Sequence, residues 1–100
     1  MAVTQLDPNL RLKQKTGVEA RSLDRGMLLV DLSSGRCYRL NRVGAEVWQL
    51  LVGSPRLNDL FTNIATRYPV PTDQIETDVG DLISDLLREE LVEIETLVAR

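Results

Sequence analysis

The sequence predicts an α+β domain in which short strands come first and three helices follow. Apolar residues between Met27 and Leu40 recur with strand character, and after Asn41 their spacing changes to that of a helix. Gly and Pro clusters then divide the rest of the chain into helix-length pieces. Strands followed by helices mark an α+β domain rather than a parallel α/β sheet. At 100 residues the chain has the length of one domain, able to bury its own core, and we read residues 1–100 as a single domain.

Leu10 to Lys15 (LRLKQK) alternates apolar and polar only at its start, and Val18 to Leu23 is read as its extension past the break at Gly17. Asp24-Arg25-Gly26 is a turn signal, and Met27 to Leu32 (MLLVDL) follows as a nearly continuous apolar strand. Ser33-Ser34-Gly35 is a tight hairpin connection, with Gly35 free to take a positive φ. Arg36 to Leu40 completes the hairpin, with Tyr38 and Leu40 on one face and Cys37 and Arg39 on the other.

Asn41 is a good helix N-cap, and Val43, Val47, Leu50 and Leu51 mark the buried face of a first helix, with Trp48 beside it as a packing residue. Gly53-Ser54-Pro55 ends that helix. Leu57, Leu60, Phe61, Ile64 and Tyr68 repeat the pattern in a second, which Pro69 and Pro71 stop. Thr72 is the expected cap of the third helix, whose apolar stripe runs through Ile75, Val79, Leu82, Ile83, Leu86 and Leu87. Leu91 to Glu95 leaves two outcomes open, a frayed end or a short terminal strand.

Charge and composition exclude several function classes. A net charge of −3, with arginines scattered along the chain, is a poor match to nucleic acid, which needs clustered cations to displace counterions. Cys37 is the only cysteine and histidine is absent, which removes disulfides, multi-Cys zinc sites and the commonest general base. A nucleophilic Cys37 would lack its usual partner, so no enzyme activity, cofactor or metal site is expected. No secretory signal or membrane-length apolar run is visible, which points to a cytoplasmic protein.

Met27 to Leu51 reads MLLVDLSSGRCYRLNRVGAEVWQLL. The strand containing Asp31, the Gly35 hairpin, Tyr38-Arg39-Leu40-Asn41 and the helix with Gly44 and Trp48 resemble the PqqD-like family, also called RiPP recognition elements. Arg67 to Val70 (RYPV), the helix from Asp73 to Leu87 and Leu91-Val92 extend the likeness over residues 18 to 95. The resemblance implies a winged-helix-like fold, a three-stranded antiparallel sheet packed on three helices. It implies binding of the leader part of a ribosomally made precursor peptide, which adds as a strand to the third strand beside the third helix. The RYPV-like segment is most similar to the stand-alone lasso-peptide branch, whose partners are a leader peptidase and a lactam-forming cyclase. The other branch serves pyrroloquinoline-quinone synthesis with a radical-SAM enzyme. A winged-helix DNA-binding regulator is the reading from another class, disfavoured by charge.

An edge strand with unpaired N–H and C=O groups meets the requirement for β-augmentation. Ladder hydrogen bonds net only about 1 kcal/mol each, so three or four fall short of the roughly 8 kcal/mol of micromolar binding. Buried apolar anchors, worth roughly 1.5–3 kcal/mol each, must supply the rest. The expected peptide-binding set is therefore Arg36, Cys37, Tyr38, Arg39 and Leu40 on the strand, with Leu82 and Leu86 as an apolar floor. Asp78, Asp85 and Glu89 line one flank of the third helix, with Asp81 slightly further round. They are read either as an acidic rim steering a basic leader or as a plain solvated face. Tyr38 alternates with Leu40 and so also reads as core, while Arg36 and Arg39 also serve to block unwanted strand pairing.

Overall fold

The computed structural model describes residues 7–95. Five strands, three α-helices and one short 3₁₀ turn occur among them, in the order β1 (Arg11–Gln14), β2 (Val18–Leu23), β3 (Gly26–Asp31), β4 (Cys37–Asn41), α1 (Arg42–Leu50), the 3₁₀ turn Leu51–Gly53, α2 (Leu57–Arg67), α3 (Thr72–Arg88) and β5 (Val92–Glu95). Strands β2, β3 and β4 form a three-stranded antiparallel sheet in that spatial order, and the fold is α+β as expected.

One correction concerns the first strand. Leu10 to Lys15 and Val18 to Leu23 are not one strand but two, in different sheets. Gly17 sits at φ +90, a left-handed turn that redirects the chain between them. Strand β1 pairs instead with β5, Leu12 opposite Ile94 and Gln14 opposite Val92. The segment after α3 thus forms the terminal strand left open above. This ribbon is tied to the helices: Leu12 donates its N–H to the Pro55 carbonyl at 3.0 Å, and Leu57 donates to the Leu10 carbonyl at 2.8 Å. The Gln14 side chain donates to the Trp48 carbonyl at 2.8 Å. Leu12 is wholly buried.

The cap of α3 is a second correction. Pro71 is the N-cap and Thr72 the first helical residue. The Pro71 carbonyl accepts from Gln74 and Ile75, so the helical ladder starts one residue earlier than the side-chain rule for Thr suggests. Asn41, by contrast, caps α1 as expected, its Oδ1 accepting the Gly44 N–H at 2.8 Å.

The inner face of the sheet carries Met27, Leu29 and Leu40, which pack with Val47, Trp48 and the α2 and α3 stripes into one core. Gly26 permits the close contact between β3 and β4: a Cβ there would lie 2.0 Å from the Leu40 carbonyl oxygen. Asp31 is the buried charged residue of the sheet. Its carboxylate accepts from the Ser33 N–H and hydroxyl and from Lys15 Nζ at 3.0 Å. The Ser33 hydroxyl first, then the Lys15 ammonium and the Ser33 N–H, hold it far below the usual carboxylate range. Gly35, at φ +76, closes the same loop by donating to the Asp31 carbonyl at 2.7 Å.

Candidate functional site

Strand β4 is an outer strand of its sheet, and the hydrogen bonds of the hairpin decide which of its groups are free. Asp31 donates its N–H to the Arg36 carbonyl at 2.9 Å, so Asp31 and Arg36 form a hydrogen-bonded pair. Pairs alternate along an antiparallel ladder. Leu29–Tyr38 and Met27–Leu40 are therefore hydrogen-bonded too, and Val30–Cys37 and Leu28–Arg39 are not. The backbone groups of Tyr38 and Leu40 and the Arg36 carbonyl are committed to β3, and the Arg36 N–H donates to the Ser34 hydroxyl. The N–H and C=O of Cys37 and Arg39 and the N–H of Asn41 point to the open edge.

Helix α3 runs beside this edge. Tyr38, half-buried, packs against the core and shares a recess with Arg36 and Glu89; burial first, then the nearby Asp85 and Glu89 carboxylates, raise its phenol pKa. The Arg36 guanidinium reaches across to pair with Glu89. Toward the other end of β4 the cleft widens into a hollow of about 280 Å³. Tyr68, Val70, Ile75, Val79 and Leu82 give it apolar walls, and Asn41, Gln74 and Asp78 give it a polar lip. Glu46 steadies the far wall, accepting from the Tyr68 hydroxyl at 2.9 Å and pairing with Arg67 at 3.1 Å.

The expected residues divide into three groups. Arg36, Tyr38, Leu82, Asp85 and Glu89 border the cleft between β4 and α3, and Asp78 sits on the lip of the hollow. Cys37 and Arg39 present backbone to the open edge, but their side chains lie on the opposite face of the sheet from Tyr38. Leu40 and Leu86 are core: Leu40 is 2% exposed and Leu86 is 0% exposed, so neither side chain offers surface to a ligand. Leu82 alone of the expected floor reaches the hollow.

The acidic flank is also less bare than its sequence suggests. Asp85 pairs with Arg88 and Glu89 with Arg36. Among the described residues Asp78 and Asp81 have no ion pair, and of the two Asp78 stands at the apolar end, on the hollow. Sequence reasoning missed Tyr68, Val70, Ile75 and Val79 as walls, because helical spacing marks such residues only as core. The available signal was Val70 between Pro69 and Pro71, an apolar residue held in extended chain outside any helix. No group of three His, Cys, Asp or Glu among the described residues is placed to hold a metal, and no described helix is long and apolar enough to cross a membrane.

A family model described as "Coenzyme PQQ synthesis protein D (PqqD)" matches residues 26–92. The chain belongs to the PqqD family. The matched span takes in β3, β4, all three helices and the first residue of β5, and leaves β1 and β2 outside. The PqqD-family fold seen here is similar to that of the solved structure "TbiB1 in Complex with the TbiA(beta) Leader Peptide", with TM-score 0.73 and 26% identity over 87% of this chain and 99% of that one. It is also similar to "Lasso peptide synthetase B1 complexed with the leader peptide", with TM-score 0.73 and 23% identity over 83% of this chain and 98% of that one, a likeness of fold. No curated protein matches.

Proposed function

We propose that this PqqD-family chain binds the leader region of a ribosomally made precursor peptide by strand addition to β4. The observation that carries this is the open β4 edge beside an apolar hollow, in a fold similar to proteins solved with leader peptides. Cys37, Arg39 and Asn41 offer the ladder bonds, worth about 1 kcal/mol each. Leu82, Val70 and Tyr68 offer the apolar contact that micromolar affinity needs in addition. Arg36, Tyr38, Asp78, Asp85 and Glu89 border the path of the peptide. The chain acts by binding, without chemistry of its own, and raises the local concentration of the precursor at a leader peptidase and a cyclase in a lasso-peptide system.

A second reading keeps the mechanism and changes the client. The matching family model describes coenzyme PQQ synthesis protein D, for which the client is a quinone-cofactor precursor and the partner a radical-SAM enzyme.

Titration calorimetry with separate leader and core peptides of the cognate precursor tests the proposal. Binding of the leader in the micromolar range or tighter, with no heat from the core peptide, is the expected result. Equal binding of both, or none of the leader, would sink it.

A further inference from the structure

The face of the sheet turned away from the helices carries a pattern that leader binding does not use. Arg21, Leu28 and Arg39 lie directly opposite one another across β2, β3 and β4, so two guanidinium groups flank one leucine. On either side of this row stand Glu19, Val30 and Cys37, and Leu23, Gly26 and Asn41. Leu23, Leu28 and Val30 therefore make an apolar column, with Leu23 37% exposed and the other two half-buried. Beyond the last row Arg25 and Arg42 border a shallow hollow with Asn41 and Val43. Arg21, Arg25, Arg39 and Arg42 are all exposed, and none makes an ion pair among the described residues. Helix α3 meanwhile carries Asp73, Glu76, Asp78, Asp81 and Asp85 against Arg88. Of the six arginines without an ion pair among the described residues, a chain of net negative charge thus places four on this surface, the other two being Arg11 and Arg56 beside the β1–β5 ribbon.

We infer that this outer face docks an acidic protein surface with an apolar centre, that of the leader peptidase which processes the carried peptide. The identity of the partner rests on the carrier reading above; the character of the surface rests on the residues. Arginine around a desolvated apolar centre is the composition of a protein interface. Nucleic acid would call for a polar, uniformly cationic surface, whereas Glu19 and Asp24 interrupt this one and an apolar column runs through it. The face is also continuous with the β4 edge. A peptide strand added there turns alternate side chains outward beside Cys37, Arg39 and Asn41. A partner seated on Arg21 and Arg39 would touch carrier and cargo together, and so favour the loaded chain over the empty one.

The test uses Arg21→Glu with Arg25→Glu, both exposed and remote from the peptide edge, and Arg21→Lys with Arg25→Lys as the charge-keeping control. Affinity of the full chain for the purified peptidase is measured by calorimetry at low and high salt, with and without leader. The Glu pair is expected to weaken peptidase binding about tenfold or more at low salt, with the gap narrowing at high salt. The Lys pair should stay within about threefold of the parent, because the long-range attraction follows charge rather than guanidinium shape. Leader affinity and melting temperature should be unchanged in both. Equal peptidase binding by the parent and the Glu pair overturns the inference. So does a parent chain that binds a 20-base-pair DNA duplex more tightly than the peptidase and loses it in the Glu pair. A chain that binds the peptidase in this charge-dependent way but ignores the leader would uphold the docking face and refute the carrier reading.

Discussion

At the scale of single residues, Cys37 and Tyr38 are neighbours with opposite duties. The Tyr38 N–H belongs to the ladder with β3, and the Cys37 N–H faces the open edge. Proline removes an N–H and fixes φ, so its effect should divide by parity. Tyr38→Pro should lower the melting temperature markedly, since it breaks a hairpin bond and displaces a half-buried ring. Cys37→Pro should leave the melt close to that of the parent while weakening leader binding roughly tenfold, one ladder bond plus the steric cost of the ring. Melts paired with peptide titrations decide this; two folded variants that both bind normally would mean the peptide docks elsewhere.

Asp31 works differently, through charge held inside the loop. Its folded pKa lies far below the ordinary value of 3.8, so the unfolded chain takes up the proton first. The stabilisation is complete above about pH 4 and drains away as pH falls below that value toward the folded pKa. Asp31→Asn should therefore cost stability at neutral pH and flatten the loss between pH 4 and 2, as read by melts across that range. A variant with the parent's full acid sensitivity would mean another carboxylate controls it.

Helix α3 is the element in which core and ligand surface meet. Ile75, Val79, Ile83 and Leu86 are buried on one stripe, and Leu82 and Asp78 lie a step round it, on the hollow. The expectation of an acidic rim changes at this scale. Asp85 and Glu89 are held by arginines of the chain itself, so the unmatched charges of the flank are Asp78 and Asp81, of which Asp78 borders the hollow. Asp78→Lys should slow association with a basic leader more than it speeds dissociation, and the effect should shrink as salt rises. Stopped-flow rates over a salt series measure both. An on-rate that does not move would return Asp78 to an ordinary solvated position.

The β1–β5 ribbon matters only to the molecule as a whole. It joins the two ends of the described chain, and Leu12 on β1 and Val92 on β5 are both within the core. Gln14 and Lys15 extend its reach to Trp48 and Asp31. Leu12→Ala, at 0% exposure, should destabilise the domain by about 2–5 kcal/mol, a large share of the stability of a small domain. Denaturant melts give the number, and the folded fraction should keep its leader affinity because the ribbon does not border the groove. A loss below about 1 kcal/mol would mean the ribbon is an appendage.

Local pattern determined much of this protein. The change of period at Asn41, the Asn41 cap, the turns at Asp24 and Gly35 and the stops at Gly53 and Pro69 are set by nearest neighbours, so they were legible along the chain. So was the α3 stripe, and with it Leu82. What local pattern does not contain is pairing between distant residues. Leu12 against Ile94, Arg36 against Glu89 and Tyr68 against Glu46 depend on how the elements pack. The free parity of β4 likewise depends on one bond from Asp31 to Arg36, which shifts if the loop gains or loses a residue. Period alone gives Leu82 and Leu86 the same stripe, and only the packing of α3 leaves one on the hollow and seals the other in the core.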